Sequence, residues 1–122
     1  MSVDDLLVKA DSRLTAAARD LEAGDVERSI GASYYATFYA APAALEKAGV
    51  ARARHSAVIA AFGEQFAKTS RLDPRYHSML VGALALRSAA DYDTDAALSR
   101  ETAEETLGDA RSFVAACRLL AT

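Results

Sequence analysis

The sequence predicts an all-α fold, an up-and-down bundle of four to five helices. Its 122 residues fit a single domain, residues 1–122, with room for one hydrophobic core. Hydrophobic residues make up 52% of the chain, and much of that content is alanine, while the β-branched residues that favour strands are sparse. Because alanine has the best helix propensity and lets helices pack closely, helices are expected throughout.

Apolar stripes and glycine stops mark the first two helices. Apolar residues recur three or four positions apart from Leu7 to Leu21, the spacing of one helix face, and Gly24 can end this helix in the left-handed conformation. Asp25 is a suitable N-cap for the second helix, and Gly49 is its stop. The apolar residues of the second helix fall on two faces, so we expect it to be buried on two sides.

The third and fourth helices are predicted from a periodic pattern and from a start signal. Apolar residues between His55 and Phe66 define an amphipathic third helix that ends near Thr69. Asp73 followed by Pro74 is an N-cap with proline at the first helical position, which predicts the start of the fourth helix.

The last helix is predicted to begin at Ser99, with Glu101 in its first turn, after a segment at 91–95 that is rich in turn-forming residues. Its apolar stripe runs from Leu107 to Leu120. Connections this short favour antiparallel neighbours. The second and fourth helices carry more apolar surface than one small bundle can bury, so we expect a homodimer that forms through them.

Several classes of protein are disfavoured by composition. The acidic N-terminal segment lacks the positive charge of a signal peptide, and the longest nearly uncharged stretch, Tyr34 to Leu45, is shorter than the about 20 residues that span a bilayer as a helix. We therefore expect a cytoplasmic protein without membrane contact. The single cysteine, Cys117, is interpreted as buried packing. Phosphate-binding glycine loops and metal-ligand clusters are absent from the sequence, so no cofactor and no metal is expected.

Charge is distributed unevenly along the chain. Residues 47–90 hold seven basic and two acidic side chains, whereas residues 1–46 hold four and eight, and residues 91–122 hold three and seven. A basic segment of this kind can mark a partner that carries phosphates, such as RNA. The alternative is that the charge blocks fall on different helices and interleave in space, and the sequence does not decide between the two.

Arg87 has the least usual position in the chain. It follows Leu80 and Leu84 on the inward stripe of the fourth helix, and Asp91 lies one turn further on, next to Tyr92. A partly buried arginine needs an anionic or polar partner, so we expect Arg87 to be at least half buried and to bond Asp91 or a backbone carbonyl. The structural interpretation, an ion pair at the helix end, is favoured on position alone.

Several motifs, in order along the chain, resemble the HEPN family. The second helix carries Tyr34-Tyr35-Ala36, then Phe38 and two alanines. The third helix carries His55-Ser56, then Phe62 and Phe66, and the fourth ends on Arg87-Ser88-Ala89-Ala90-Asp91-Tyr92. The last helix matches at Ala110, Phe113 and Val114. The resemblance covers roughly residues 10 to 120 and implies an all-helical domain.

The resemblance implies a dimer, and many members of the family are metal-independent ribonucleases that are paired with a nucleotidyltransferase as toxin and antitoxin. The family's catalytic pattern is an arginine with a histidine four to six residues later. Arg87 matches the arginine, but Tyr92 stands five residues after it, and neither histidine of the chain lies downstream. Two further departures are Ala32 in place of an arginine before the tyrosine pair, and Tyr39 in place of the histidine after Phe38.

A ribonuclease that works without metal needs a cation on the phosphate, a base and an acid. Arg87 is the candidate cation, with Asp91 beside it. Tyr92 titrates too high to be a good base at neutral pH, so His55 is the better candidate if the fold brings it near Arg87. The alternative for His55 is a local hydrogen bond at a helix start. His77 is interpreted as structural or exposed.

The tyrosines of the second helix, Tyr34, Tyr35 and Tyr39, could form an aromatic platform for RNA bases, but core packing is favoured for them. Two functions remain. One is a dimeric interaction or RNA-binding component of a module with a nucleotidyltransferase, in which Arg52, Arg54 and Arg87 contact phosphates. The other is an active ribonuclease toxin that uses Arg87, Asp91, Tyr92 and His55.

Overall fold

The computed structural model describes residues 2–52, 54–92 and 98–122, apart from the side chains of residues 89–92. In this part of the chain there are five α-helices and no strand, which confirms the predicted all-α bundle. The helices are α1 (Val3–Glu22), α2 (Val26–Lys47), α3 (His55–Phe62), α4 (Arg75–Tyr92) and α5 (Arg100–Leu120), and a π-helical turn, Gly63–Ala67, continues α3. No described helix is long and apolar enough to cross a membrane.

The second helix, α2, is the centre of the bundle. It contacts each of the other four α-helices, and half of its 22 residues are buried. The main core joins apolar residues of α2 such as Ala40 and Leu45 to Phe62 of α3, Leu80 of α4 and Phe113 of α5. The prediction that α2 is buried on two sides is confirmed, and anything carried on α2 is therefore held rigidly among the other helices.

The predicted ends of the helices agree with the structure because they depend on local chemistry. Gly24 and Gly49 follow α1 and α2 with φ of +83° and +82°, the left-handed conformation that glycine adopts most easily. The Asp25 carboxylate accepts a hydrogen bond from the Arg28 N–H at 3.2 Å, and the Ser99 hydroxyl accepts one from the Thr102 N–H at 3.1 Å. Both are the expected side-chain caps.

The third helix differs from its prediction as one regular helix that ends near Thr69. It is α-helical only to Phe62, and then forms the π turn. A methyl group at Gly63 would lie 2.8 Å from the His77 Nε2 atom, so the glycine lets α4 pack closely here. Phe62 and Phe66 are still buried and meet edge to face at 5.0 Å between ring centroids. His77 is partly buried against Gly63, which confirms its structural interpretation.

Both ends of α4 can be compared with the prediction from the sequence. At its start, the Asp73 carboxylate accepts a hydrogen bond from the Arg75 N–H at 3.0 Å, as an N-cap does. The helix continues to Tyr92, so Asp91 and Tyr92 are helical, although they were predicted as part of a turn-forming segment. The rest of that predicted turn lies outside the described residues.

Candidate functional site

A hydrogen bond between Tyr34 and His55 lies at the centre of the site. Tyr34 stands in the middle of α2 and is fully buried, and its hydroxyl is 2.6 Å from Nδ1 of His55. His55 is the first residue of α3, so this bond joins the two helices. The imidazole is only partly buried, which leaves part of the ring accessible. Tyr34, a core residue, thus holds in place a histidine that is partly accessible at the protein surface.

Arg87 reaches the same tyrosines from α4. Its Nη2 donates a hydrogen bond to the hydroxyl of Tyr35 at 3.2 Å. Its guanidinium carbon lies 5.6 Å from the centroid of the Tyr35 ring and 5.8 Å from that of Tyr34, within the range of cation–π attraction. Arg87 is partly buried, as its position on the inward stripe predicts. Tyr34 therefore has His55 at its hydroxyl and the Arg87 guanidinium near its ring.

Phe38 completes the wall behind the imidazole. Its ring centroid lies 3.9 Å from that of His55, and it stacks on Tyr34 at 6.0 Å with an angle of 19° between the planes. Because Phe38 follows Tyr34 by one helical turn, both side chains point to the same side of α2. The imidazole is therefore held by one hydrogen bond and one aromatic contact, which limits how far it can turn.

The protonation states follow from burial and from Arg87. Burial lowers the pKa of His55 below its ordinary 6.5, and the nearby positive charge of Arg87 lowers it further. Burial raises the pKa of Tyr34 to about 12, although Arg87 opposes the rise. At neutral pH the imidazole and the phenol are both uncharged, and Arg87 carries the positive charge of the cluster. Among the described side chains, the cluster is therefore positively charged.

More basic side chains lie at the start of α3. Arg54 occupies the N-cap position, directly before His55, and both Arg52 and Arg54 are exposed. The Arg54 side chain makes no capping hydrogen bond, and the first turn of α3 has no acidic residue, so nothing within this turn offsets the partial positive charge of its N–H groups. The cationic arginines and the helix end favour an anion beside His55.

The basic side chains of residues 47–90 fall into two groups in space. This bears on whether they form one surface for a phosphate-bearing partner or interleave with other charges. Arg71 follows the π turn, and Arg75 is the first residue of α4. Arg87 is twelve residues further along α4 than Arg75, about 18 Å along the helix axis. The arginines around His55 thus form one group, and those at the start of α4 form another.

The rest of the described surface offers little other chemistry. In the described parts of the chain, no three histidine, cysteine, aspartate or glutamate side chains are grouped as metal ligands would be. A mostly apolar cavity of about 300 Å³ lies between α2, α4 and α5, and it contains none of the residues that the sequence singled out. Cys117 is fully buried, as predicted, and burial raises the pKa of its thiol well above the ordinary range.

Comparison with known proteins places the chain in a family. A family model described as the HEPN domain matches residues 3–120. The chain belongs to the HEPN family. It is 35% identical, over 88 residues, to a UPF0332 protein of Gloeobacter violaceus, and the aligned region covers 72% of this chain and 70% of that protein. It is 28% identical, over 112 residues, to a protein of Methanocaldococcus jannaschii named "Putative toxin", and the aligned region covers 92% of this chain and 76% of that protein.

The structure of this HEPN domain brings together some of the residues predicted for its site. Arg87 and His55 both contact Tyr34, Arg87 at its ring and His55 at its hydroxyl, and a role for His55 in the site stays a prediction. Arg52 and Arg54 precede His55 in the chain, and Arg54 is the N-cap residue of α3. The side chains of Asp91 and Tyr92 lie outside the described part of the structure, so the expected bond between Arg87 and Asp91 stays a prediction.

Three contributors to the site were missed. Tyr34 and Tyr35 were interpreted as packing residues, and Phe38 was predicted as part of the apolar pattern of the second helix and of the HEPN resemblance. Tyr34 is a core residue, as favoured, but its hydroxyl also holds His55, and Tyr35 accepts a hydrogen bond from Arg87. The available signal was that each buried tyrosine hydroxyl needs a polar partner, which directs attention to a histidine or an arginine elsewhere in the chain.

Proposed function

We propose that this HEPN domain is an RNA-binding component of a toxin–antitoxin-like module, and that Arg87 and His55 form its phosphate site. The observation that carries the proposal is the meeting of the Arg87 guanidinium and the His55 imidazole at one buried tyrosine, Tyr34. A guanidinium with a neighbouring N–H donor is the pair of groups that binds a phosphodiester. The relative named as a toxin supports the biological setting.

The surroundings of His55 support RNA rather than a small neutral ligand. Arg52 and Arg54 are exposed, and the first turn of α3 adds N–H donors. Phosphate contacts of this kind supply affinity without reading the sequence. We therefore expect binding to single-stranded RNA that weakens steeply as salt is added.

A metal-independent ribonuclease is the second candidate, and a specific observation favours it. Arg87 can stabilise the charge that develops on the phosphate, and His55 contacts the same tyrosine, Tyr34, as Arg87 does. The histidine of the usual HEPN catalytic pattern is replaced by Tyr92. Cleavage should therefore be slow, since loss of a general base typically costs a factor of roughly 10² to 10⁴.

We further propose that the domain works as a cytoplasmic homodimer beside a nucleotidyltransferase. The HEPN resemblance implies both partners, and α4 carries Val81, a large apolar side chain that is 46% exposed in the single chain. A second copy that covers α4 would bury this residue. Light scattering at high micromolar concentration should give the mass of a dimer, and a monomer mass would overturn this part of the proposal.

Binding is tested by fluorescence anisotropy with a labelled single-stranded RNA at several salt concentrations. We expect Arg87→Ala to weaken binding by about tenfold, and Arg52→Ala or Arg54→Ala to weaken it and to reduce the salt dependence by about one ion each. Arg111→Ala is the matched control, because Arg111 is an exposed arginine on α5 away from His55. Equal effects of Arg87→Ala and Arg111→Ala would contradict the proposed site.

Cleavage is tested with total RNA in the presence of a chelator. Wild-type protein, Arg87→Ala and Tyr92→His are compared over the same time course. Cleavage by the wild type that Arg87→Ala abolishes would establish the ribonuclease, and cleavage only by Tyr92→His would show a site that has lost its histidine. Binding without cleavage by any of the three proteins would leave the RNA-binding function.

A further inference from the structure

The 2.6 Å bond between Tyr34 and His55 contains one proton whose position decides what the imidazole can do. A phenol can donate to an unprotonated ring nitrogen or accept from a protonated one. The two arrangements leave the outer nitrogen of His55, Nε2, in opposite states. In the first arrangement Nε2 carries the ring proton and is a donor, and in the second it is bare and is a base.

The surroundings of Tyr34 favour donation by the phenol. Tyr34 is fully buried, so its hydroxyl proton needs an acceptor inside the protein. Of the polar groups described around it, the Arg87 guanidinium can only donate, whereas Nδ1 of His55 lies within hydrogen-bonding distance. An imidazole N–H that pointed at this oxygen would leave the phenol proton without that acceptor, at the cost of a buried unsatisfied donor.

We propose that Tyr34 donates to Nδ1 and thereby holds neutral His55 with its proton on Nε2, so that His55 acts as a hydrogen-bond donor to an oxyanion and not as a general base. Tyr34 is then a positioning residue, which acts through His55. Phe38, 3.9 Å from the imidazole between centroids, limits rotation of the ring and so keeps Nδ1 toward Tyr34.

This state of His55 fits the rest of the site. Burial raises the pKa of Tyr34 to about 12, so the phenol keeps its proton, and the lowered pKa of His55 keeps the imidazole neutral at pH 7. Among the described side chains, Nε2–H and the Arg87 guanidinium are then the two donor groups of the site. The ligand that matches two donors is a phosphodiester oxygen, so the functional half of this inference rests on the proposed function, whereas the tautomer does not.

The tautomer is tested by nitrogen NMR of protein labelled in its histidine rings, at a pH well above the titration of His55. We expect correlations from Nε2–H and an unprotonated Nδ1 whose resonance is displaced by an accepted hydrogen bond. Tyr34→Phe should move that resonance toward the position of a ring nitrogen without a hydrogen bond, while His77 should not change. A proton on Nδ1 of wild-type His55 would overturn the inference.

The role of Nε2–H is tested with the labelled single-stranded RNA. Loss of a hydrogen bond to a charged group corresponds to a factor of about 10 to 100, so His55→Ala should weaken binding by at least about tenfold. His55→Gln, whose amide can place an N–H near the position of Nε2, should restore most of this loss. His77→Gln is the control and should bind as the wild type does.

The outcomes separate the two proposals. If His55→Gln binds as weakly as His55→Ala, the donor role is wrong, whatever the NMR shows. If the wild type does not bind RNA but the NMR finds Nε2–H with a bonded Nδ1, the proposed function fails and the tautomer stands. Circular dichroism of each variant shows whether it is folded, so a variant that unfolds is not counted as a loss of binding.

Discussion

Replacing Gly63 by alanine should destabilise the protein, although glycine to alanine within a helix usually does the opposite. The new methyl carbon would lie 2.8 Å from Nε2 and 3.0 Å from Cδ2 of His77, whereas non-bonded heavy atoms sit at about 3.5 to 4.0 Å. The ring would have to move by about 0.7 Å. His77 is partly buried, so this movement disturbs its neighbours as well.

The magnitude follows from two opposing terms. Overpacking of this kind costs about 1 to 3 kcal/mol, and the helix propensity of alanine returns about 0.5 to 1 kcal/mol. Gly108→Ala is the matched control, because Gly108 lies inside α5 with nothing within 4 Å of the position of a new methyl group. Gly108→Ala should therefore show only the stabilisation that comes from the higher helix propensity of alanine. Gly63→Ala should thus be about 1 to 3 kcal/mol less stable than Gly108→Ala, about 4 to 12 °C in Tm.

Urea unfolding followed by circular dichroism measures the free energy of unfolding of both variants. The combined variant Gly63→Ala, His77→Ala tests the cause, because without the imidazole the methyl group has no close neighbour on that side. The loss caused by Gly63→Ala should then largely disappear in the background of His77→Ala. If Gly63→Ala stabilises the protein as much as Gly108→Ala does, the close approach of α4 to the π turn is wrong.

Three further predictions concern single side chains. Ser29→Ala removes a buried hydrogen bond of 2.9 Å from the Ser29 hydroxyl to the Ala17 carbonyl. Its free energy of unfolding, measured in urea, should therefore be about 1 kcal/mol lower than that of the exposed control Ser112→Ala. His55 has a pKa below the ordinary 6.5 in the folded protein, so, as the pH falls, the unfolded chain binds a proton at a higher pH than the folded chain does. Stability from neutral His55 should be complete above about pH 6.5 and be lost as the pH falls below it, and His55→Gln should lessen this acid-dependent loss in unfolding measured at several pH values. Cys117 is fully buried, so a thiol reagent should label it only at urea concentrations that unfold the chain, and labelling at the same rate as a free thiol in native protein would contradict the packing of α5.

Local chemistry explains why most of the fold could be predicted from the sequence. Gly24 and Gly49 stop helices because of their own backbone freedom, and Asp25 and Ser99 start them with their own side chains, so each signal lies within a few residues of its effect. The π turn after Phe62 lies instead against a helix that is distant in sequence. Apolar residues four apart fit an α-helix equally well, so the pattern could not reveal it.

The candidate site was predicted in part, and the reason is sequence separation. Arg87 could be singled out because its helix places it on an apolar stripe, which is a local property. Its contact with Tyr35 joins residues 52 positions apart, and that between Tyr34 and His55 joins residues 21 apart. No periodicity relates such pairs. The sequence could only state that His55 would matter if the fold brought it near Arg87, and that buried tyrosine hydroxyls need partners.

The central position of α2 also has a consequence for synthesis on the ribosome. Ile30 of α2 shares a buried cluster with Ala17 and Leu21 of α1 and with Ala103 and Leu107 of α5. The α5 residues follow Ile30 by more than 70 positions, so at about 5 to 20 residues per second they are translated roughly 4 to 15 s later. For those seconds the hairpin of α1 and α2 presents an open apolar groove, which nascent-chain chaperones can bind.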